Sequence, residues 1–131
     1  MKRILFVDDD IERLTSLLEL VGEAGFDVLS ANTVTSGLRI VEEQAGSLAA
    51  IVVDMVMPHE ALDPYVTGLG LRTGLVLIEK LKQLAPSVPL LVFTVIHDPQ
   101  TKAAALKAGA AAYIEKPVLS DVLISEIKRL L

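Results

Sequence analysis

The chain has no cysteine and no tryptophan. Without thiols it can form neither a disulfide nor a thiolate metal site. Aromatics are scarce, three Phe and two Tyr in 131 residues, too few for the stacked platform on which single-stranded nucleic acid lies. Positive charge is outnumbered: 12 Lys and Arg against 17 Asp and Glu give a net charge of −5, whereas a nucleic-acid surface needs a basic stripe. Long apolar runs are missing too. Hydrophobic residues make up 52% of the chain, yet no run approaches the length of a membrane span. Met1-Lys2-Arg3-Ile4 leads straight into a strand-like segment and not into a signal peptide, so a cytoplasmic location is expected. There is no repeat, low-complexity tract or linker, and the length suits one domain, residues 1–131, with a core of its own.

What the chain does have is a set of short apolar runs that end on polar residues. Ile51-Val52-Val53 runs into Asp54-Met55-Val56-Met57-Pro58. A β-branched run bounded by a turn residue reads as a strand buried on both faces. It must stop where it does, because the charge of Asp54 cannot enter the core without a partner. Ile4 to Val7 ends likewise on Asp8-Asp9-Asp10, and Leu90 to Phe93 ends on Thr94. Phe26 to Ala31 and Ala112 to Ile114 complete five strands, the last leading to Glu115-Lys116-Pro117.

Helical spacing fills the intervals. Ile11, Leu14, Leu18 and Val21 form one stripe, with Gly22 and Gly25 at its end. Thr33 or Thr35 caps a second helix carrying Leu38, Ile40, Val41 and Ala45, closed by Gly46. Leu75, Ile78, Leu81 and Leu84 mark a third. Asp98-Pro99 is a cap and first-turn pair for a fourth, running to Ala108 and Gly109. Ser120 and Asp121 open a fifth, with Val122, Leu123, Ile127 and Leu130 at core spacing. Strands alternating with helices predict a doubly wound α/β fold, a parallel sheet with right-handed crossovers and helices on both faces. Residues 59–73 break the rhythm, long for a βα connection. His59, Glu60 and Asp63 there read as ordinary exposed loop residues rather than metal ligands.

In a parallel sheet the strand ends share one edge, and Asp8, Asp9, Asp54, Thr94 and Lys116 all fall on it. If the first and third strands are neighbours, as in the order 2-1-3-4-5, the acids straddle the topological switch point. Carboxylates packed so closely raise one another's pKa. A hard cation such as Mg2+ relieves this and leaves room for phosphate oxygens. A hydroxyl and an ammonium opposite would hold the remaining oxygens, a constellation suited to phosphoryl transfer.

These motifs resemble the receiver domain of two-component response regulators. The acidic pair Asp8-Asp9, Asp54-Met55-Val56-Met57-Pro58, the strand ending in Thr94, and Gly109-Ala110 leading to Tyr113 and Lys116-Pro117 follow that family's order over essentially the whole chain. The resemblance implies the CheY-like, flavodoxin-like fold with five parallel strands in the order 2-1-3-4-5. It implies that Asp54 accepts a phosphoryl group from a histidine kinase or phosphotransfer protein. Asp9 and Asp54 would ligate Mg2+ directly, Val56 through its backbone carbonyl, and Asp8 through water. Thr94 would bind a phosphoryl oxygen, and Lys116 would pair with Asp54 before transfer and with the phosphoryl group after it. Tyr113 would be the switch aromatic, and Lys116-Pro117 a cis peptide. The output would be a changed surface on the fourth helix, fifth strand and fifth helix, in a phosphorylation-controlled module that is not a turnover enzyme.

Three features depart from the family's pattern. The segment between Pro58 and Gly74, the glycine expected to open the third helix, is expanded, as a tolerated insertion or as a lid. Val56, Val95 and Ile96 stand where smaller or polar residues tune access and dephosphorylation, which predicts a long-lived phosphorylated state. Ala111 and Ala112 stand where DNA-binding regulators carry acids that pair across a dimer, which weakens the case for that form of a phosphorylation-linked homodimer. No effector domain is expected within these residues. Two rival readings stand beside this one. In a haloacid dehalogenase-type phosphatase, Asp8 would be the nucleophile and Asp10 the acid/base. In a receiver-like scaffold, no phosphate would be taken at all.

Overall fold

The computed structural model describes residues 1–56 and 70–131, with the backbone alone for 70–73. Five strands, β1 (Arg3–Val7), β2 (Asp27–Ala31), β3 (Leu48–Val53), β4 (Leu90–Thr94) and β5 (Ala112–Glu115), form one sheet in the order β2-β1-β3-β4-β5. Every pairing is parallel, as the alternation of strands and helices predicts. The helices are α1 (Thr15–Glu23), α2 (Val34–Gln44), α3 (Gly70–Leu84), α4 (Pro99–Ala108) and α5 (Ser120–Leu130).

The strands sort their side chains by the two-residue period of a pleated sheet. Leu5, Val7, Ile51, Val53, Leu90 and Val92 face one layer, packed with Val34 and Val41 of α2, Leu77, Ile78 and Leu81 of α3, and Ala105 of α4. Ile4, Phe6, Ala50, Val52, Leu91 and Phe93 face the other, packed with Val21 of α1 and Leu123 and Ile127 of α5. Each fully buried Leu or Ile contributes roughly 2 kcal/mol from water exclusion.

Local signals set most boundaries. Thr33 caps α2, its hydroxyl accepting from the Ser36 N–H at 3.1 Å. Asp98 caps α4, accepting from the Gln100 and Thr101 N–H groups, with Pro99 in the first turn. Gly25 and Gly109 take positive φ after α1 and α4, a conformation glycine adopts without steric cost. The first helical pattern divides: Ile11–Leu14 is a 3-10 turn and the α-helix begins only at Thr15. Ser120 opens α5 without a side-chain cap, the N-cap residue being Leu119.

Three sequence expectations need correction. Residues 70–73, expected to belong to the irregular segment 59–73, are helical, because α3 begins at Gly70; Met57, Pro58, His59, Glu60 and Asp63 lie outside the described residues. Gly74 therefore does not open that helix. It is small because a Cβ there would lie 2.5 Å from the Met55 carbonyl oxygen and 2.9 Å from its Cα. Leu84 and Val122, placed on buried stripes by spacing, are exposed, and Leu77 takes the core position on α3.

Candidate functional site

Backbone pairing carries the polar strand ends to one place. The Asp8 N–H donates to the Ala31 carbonyl at 3.0 Å, and the Asp54 N–H donates to the Val7 carbonyl at 3.0 Å. The β1–β2 ladder thus continues to Asp8 and the β1–β3 ladder to Asp54, one residue past the end of β1 and of β3, which brings the two acids to the same edge of the sheet. On the other side of β3, the Lys116 N–H donates to the Thr94 carbonyl at 2.7 Å. The Lys116-Pro117 peptide is cis.

The side chains close the site. Carboxylate oxygens of Asp8, Asp9 and Asp54 all lie within 4.8 Å of one another, a group that could hold a metal ion. Asp8 and Asp54 are buried and Asp9 is exposed. The Lys116 ammonium donates to Asp8 Oδ2 at 2.7 Å and to Asp54 Oδ2 at 3.2 Å. It stands 5.1 Å from the centroid of the Phe93 ring, within cation–π range. Of these two bonds the shorter is to Asp8, a partner the resemblance does not name for Lys116. The remaining oxygens are also used: Asp8 Oδ1 accepts from the Asp10 N–H at 2.8 Å, and Asp54 Oδ1 from the Val56 N–H at 3.1 Å.

Two charges here are perturbed. Partial burial, then the neighbouring Asp8, Asp54 and Asp10 charges, push the Asp9 carboxyl up. Burial pulls the Lys116 ammonium down, but the hydrogen bond to Asp8 and the Asp54 charge outweigh it and the net shift is upward. One cation therefore faces three acids, and two of the three are satisfied by it. The uncompensated charge sits at Asp9, on the open side of the cluster.

Thr94 is fully buried, and its Oγ1 accepts a long 3.5 Å bond from the Ile96 N–H. Tyr113 packs in the layer beneath α4, its hydroxyl donating to the Ile96 carbonyl at 2.8 Å. Burial, with the Glu115, Asp98 and Asp54 charges behind it, pushes the phenol's pKa up. Val95 and Val56 are exposed, 62% and 41%, and Ile96 is half-buried against the core. Asp10 is not one of the three grouped carboxylates; its Oδ2 lies 3.4 Å from Arg13 Nε.

Two contributors escaped the sequence reading. Phe93 is identifiable only once the sheet order sets β4 beside β5. His97 has its Nε2 2.8 Å from the Lys116 carbonyl oxygen and its Nδ1 3.1 Å from Glu115 Oε2. Both partners lie far along the chain, and a single histidine before a cap gives no local sign of them.

The fold and this acidic site are those of a signalling receiver. The model of the response regulator receiver domain matches residues 4–128, and the chain belongs to that family. The transcriptional regulatory protein ZraR of Escherichia coli is 32% identical over 128 residues, covering 98% of this chain and 26% of that protein. The chain thus spans about a quarter of that relative's length. A response regulator receiver domain from Clostridium thermocellum superposes with a TM-score of 0.82 at 28% identity, covering 99% of this chain and 94% of the other. A response regulator protein from Burkholderia pseudomallei, solved with a phosphorylated aspartic acid, a calcium ion and citrate, superposes at 0.74 with 26% identity, covering 98% and 72%. Among the described residues no helix is long and apolar enough to cross a membrane.

Proposed function

We propose that this receiver takes a phosphoryl group on Asp54 from the phosphohistidine of a histidine kinase or phosphotransfer protein, in a Mg2+-dependent step that it catalyses on itself. The observation that carries the reading is the convergence of three carboxylates within 4.8 Å, with the Lys116 ammonium bridging two of them. The donor set is all oxygen and anionic, which suits a hard divalent cation that keeps waters and accepts phosphate oxygens. Asp9 and Asp54, with the Val56 carbonyl, would hold Mg2+ directly and Asp8 through water; bound there, the ion would supply charge neutralisation at the phosphoryl oxygens.

In the transfer, an Asp54 oxygen forms the new O–P bond as the N–P bond breaks, and the histidine nitrogen leaves with the electron pair. Lys116 steadies the carboxylate before the step and the phosphoryl oxygens after it. Thr94 can donate its hydroxyl proton to the phosphoryl group while still accepting from Ile96. A phosphorylated Asp54 would draw Thr94 and Lys116 inward and bias the packing of α4, β5 and α5 around Tyr113. Leu106, Leu119 and Val122, exposed at 41%, 73% and 46%, offer that region an apolar surface for a downstream protein or effector domain. The chain turns over no second substrate in this scheme.

The test is mass measurement after incubation with acetyl phosphate and Mg2+. One phosphoryl group on the wild type, none on Asp54→Asn, and none after chelation are expected. Label on Asp8 in the Asp54→Asn protein would favour the phosphatase chemistry. An unmodified wild type would favour the scaffold.

A further inference from the structure

The pleat of the sheet brings one face of the strands in line with the site. On the face toward α1 and α5, β1 presents Phe6, β3 presents Val52 and β4 presents Phe93. Two residues beyond Phe6 and Val52, where the ladders run on past the strand ends, stand Asp8 and Asp54. β5 sets Ile114 opposite Phe93, and Lys116 follows Ile114 by the same two residues. Because β4 lies between β3 and β5, the Lys116 side chain reaches Asp54 and Asp8 across β4, whose last side chain on that face is Phe93. We propose that Phe93 is a positioning residue for Lys116: its ring face, and not its bulk, holds the ammonium over β4 beside the two carboxylates. This rests on the receiver reading and deepens it, since it concerns how that site's cation is held.

Contact geometry separates a ring from a plain apolar filler. Phe93 is buried in a layer of aliphatic side chains that a leucine could join. The Lys116 ammonium, however, stands over the ring, 5.1 Å from its centroid, inside the range of about 6 Å over which the negative π face attracts a cation. An ammonium has three N–H donors and no acceptor. Asp8 Oδ2 takes one at 2.7 Å and Asp54 Oδ2 another at 3.2 Å. The Lys116 side chain is only 15% exposed, so the ring meets a poorly hydrated charge, the setting in which this attraction is strongest. A leucine would fill the space and offer that charge nothing. The ring also differs from the acids in kind. A hydrogen bond to a carboxylate is directional, whereas the π face attracts a cation anywhere over it. The ammonium can therefore follow the negative charge from the Asp54 carboxylate to a phosphoryl oxygen without losing this partner.

Proton resonances of the metal-free protein test the placement without phosphorylation. The ring current over the Phe93 face should move the Lys116 Hε protons upfield in the wild type, and Phe93→Leu should return them to the ordinary lysine position. Hε protons that already lie there in the wild type overturn the proposal. The second arm replaces Phe93 alone by mono-, di- and trifluorophenylalanine, which drain the π face in steps while nearly keeping the ring's shape. The saturating rate of Asp54 phosphorylation by acetyl phosphate with Mg2+ should fall step by step along this series, by about threefold to tenfold in all, the range of one cation–π contact. Melting temperatures should stay close to the wild type's. A flat series refutes the positioning role, and so do rates that fall only in step with falling melting temperatures, which would make the ring packing alone. If no protein in the series is phosphorylated, the receiver chemistry fails, and the Lys116 proton shifts still decide whether the ring holds the ammonium.

Discussion

Asp9 and Lys116 are opposite answers to the same crowding. Asp9 is raised because the folded chain holds it partly buried beside Asp8 and Asp54. An acid raised on folding binds its proton more tightly in the native state, so ionising it costs stability at neutral pH. Asp9→Asn should therefore raise the melting temperature in the absence of divalent ions, and it should shrink the further rise that Mg2+ gives the wild type. Thermal melts with and without Mg2+ decide this; equal gains in both proteins would mean that Asp9 holds no ion. Lys116 works the other way. Its folded pKa lies above the ordinary lysine value of 10.5, so its stabilisation is complete below that value and fades as pH climbs through the folded one. Lys116→Met leaves two buried carboxylates without their cation, and the expected loss is about 3 kcal/mol. The variant should also lose the wild type's additional weakening in strong alkali. Denaturant midpoints across that range measure both effects.

At the scale of elements, Gly74 is the position where α3 meets the site. The helix comes so close to Met55, the residue after Asp54, that a Cβ would stand 2.5 Å from its carbonyl oxygen. That neighbour is backbone and cannot swing away. Gly74→Ala should cost about 1–3 kcal/mol and slow Asp54 phosphorylation, because relief comes only by shifting Met55 or the helix. A Gly74→Ala protein with wild-type stability would show that the two elements are less tightly matched. The same residue marks where sequence reasoning stopped. Apolar runs ending on Asp8, Asp54 and Thr94 made β1, β3 and β4 legible, because a charge or hydroxyl cannot continue a buried strand. Thr33 and Asp98 announced their helices by local capping chemistry. Nothing local announced that α3 begins at Gly70, since Gly70-Leu71-Arg72-Thr73-Gly74 has two glycines and no apolar period, and in that stretch propensity points away from helix. Nor could spacing show that Leu77 and not Leu84 is buried, because that depends on where the helix lies over the sheet. His97 was invisible for a further reason: the carbonyl it bonds belongs to Lys116, just past β5 and 19 residues along the chain.

For the molecule as a whole, the lifetime of the modified state sets how long the altered packing persists. Hydrolysis of an aspartyl phosphate needs a water lined up opposite the leaving carboxylate, and a polar side chain beside the site can hold it. The resemblance to the receiver family assigns Val56, Val95 and Ile96 to the rim of that path. Val56 and Val95 are exposed at 41% and 62%, and Ile96 packs against the core. None of the three side chains can accept or donate a hydrogen bond. The backbone at Ile96 is also committed, its N–H to Thr94 and its carbonyl to Tyr113, so it has little freedom to orient a solvent molecule. Phosphate should therefore leave slowly, and the shifted α4, β5 and α5 surface should outlast the encounter with the kinase. Val56→Asn, which puts an amide at the rim without disturbing the core, should speed the loss several-fold while leaving the melting temperature nearly unchanged. Following phosphate release after the donor is removed separates the cases. Complete loss within seconds from the wild type, or no acceleration in Val56→Asn, would show that the apolar rim does not govern the lifetime.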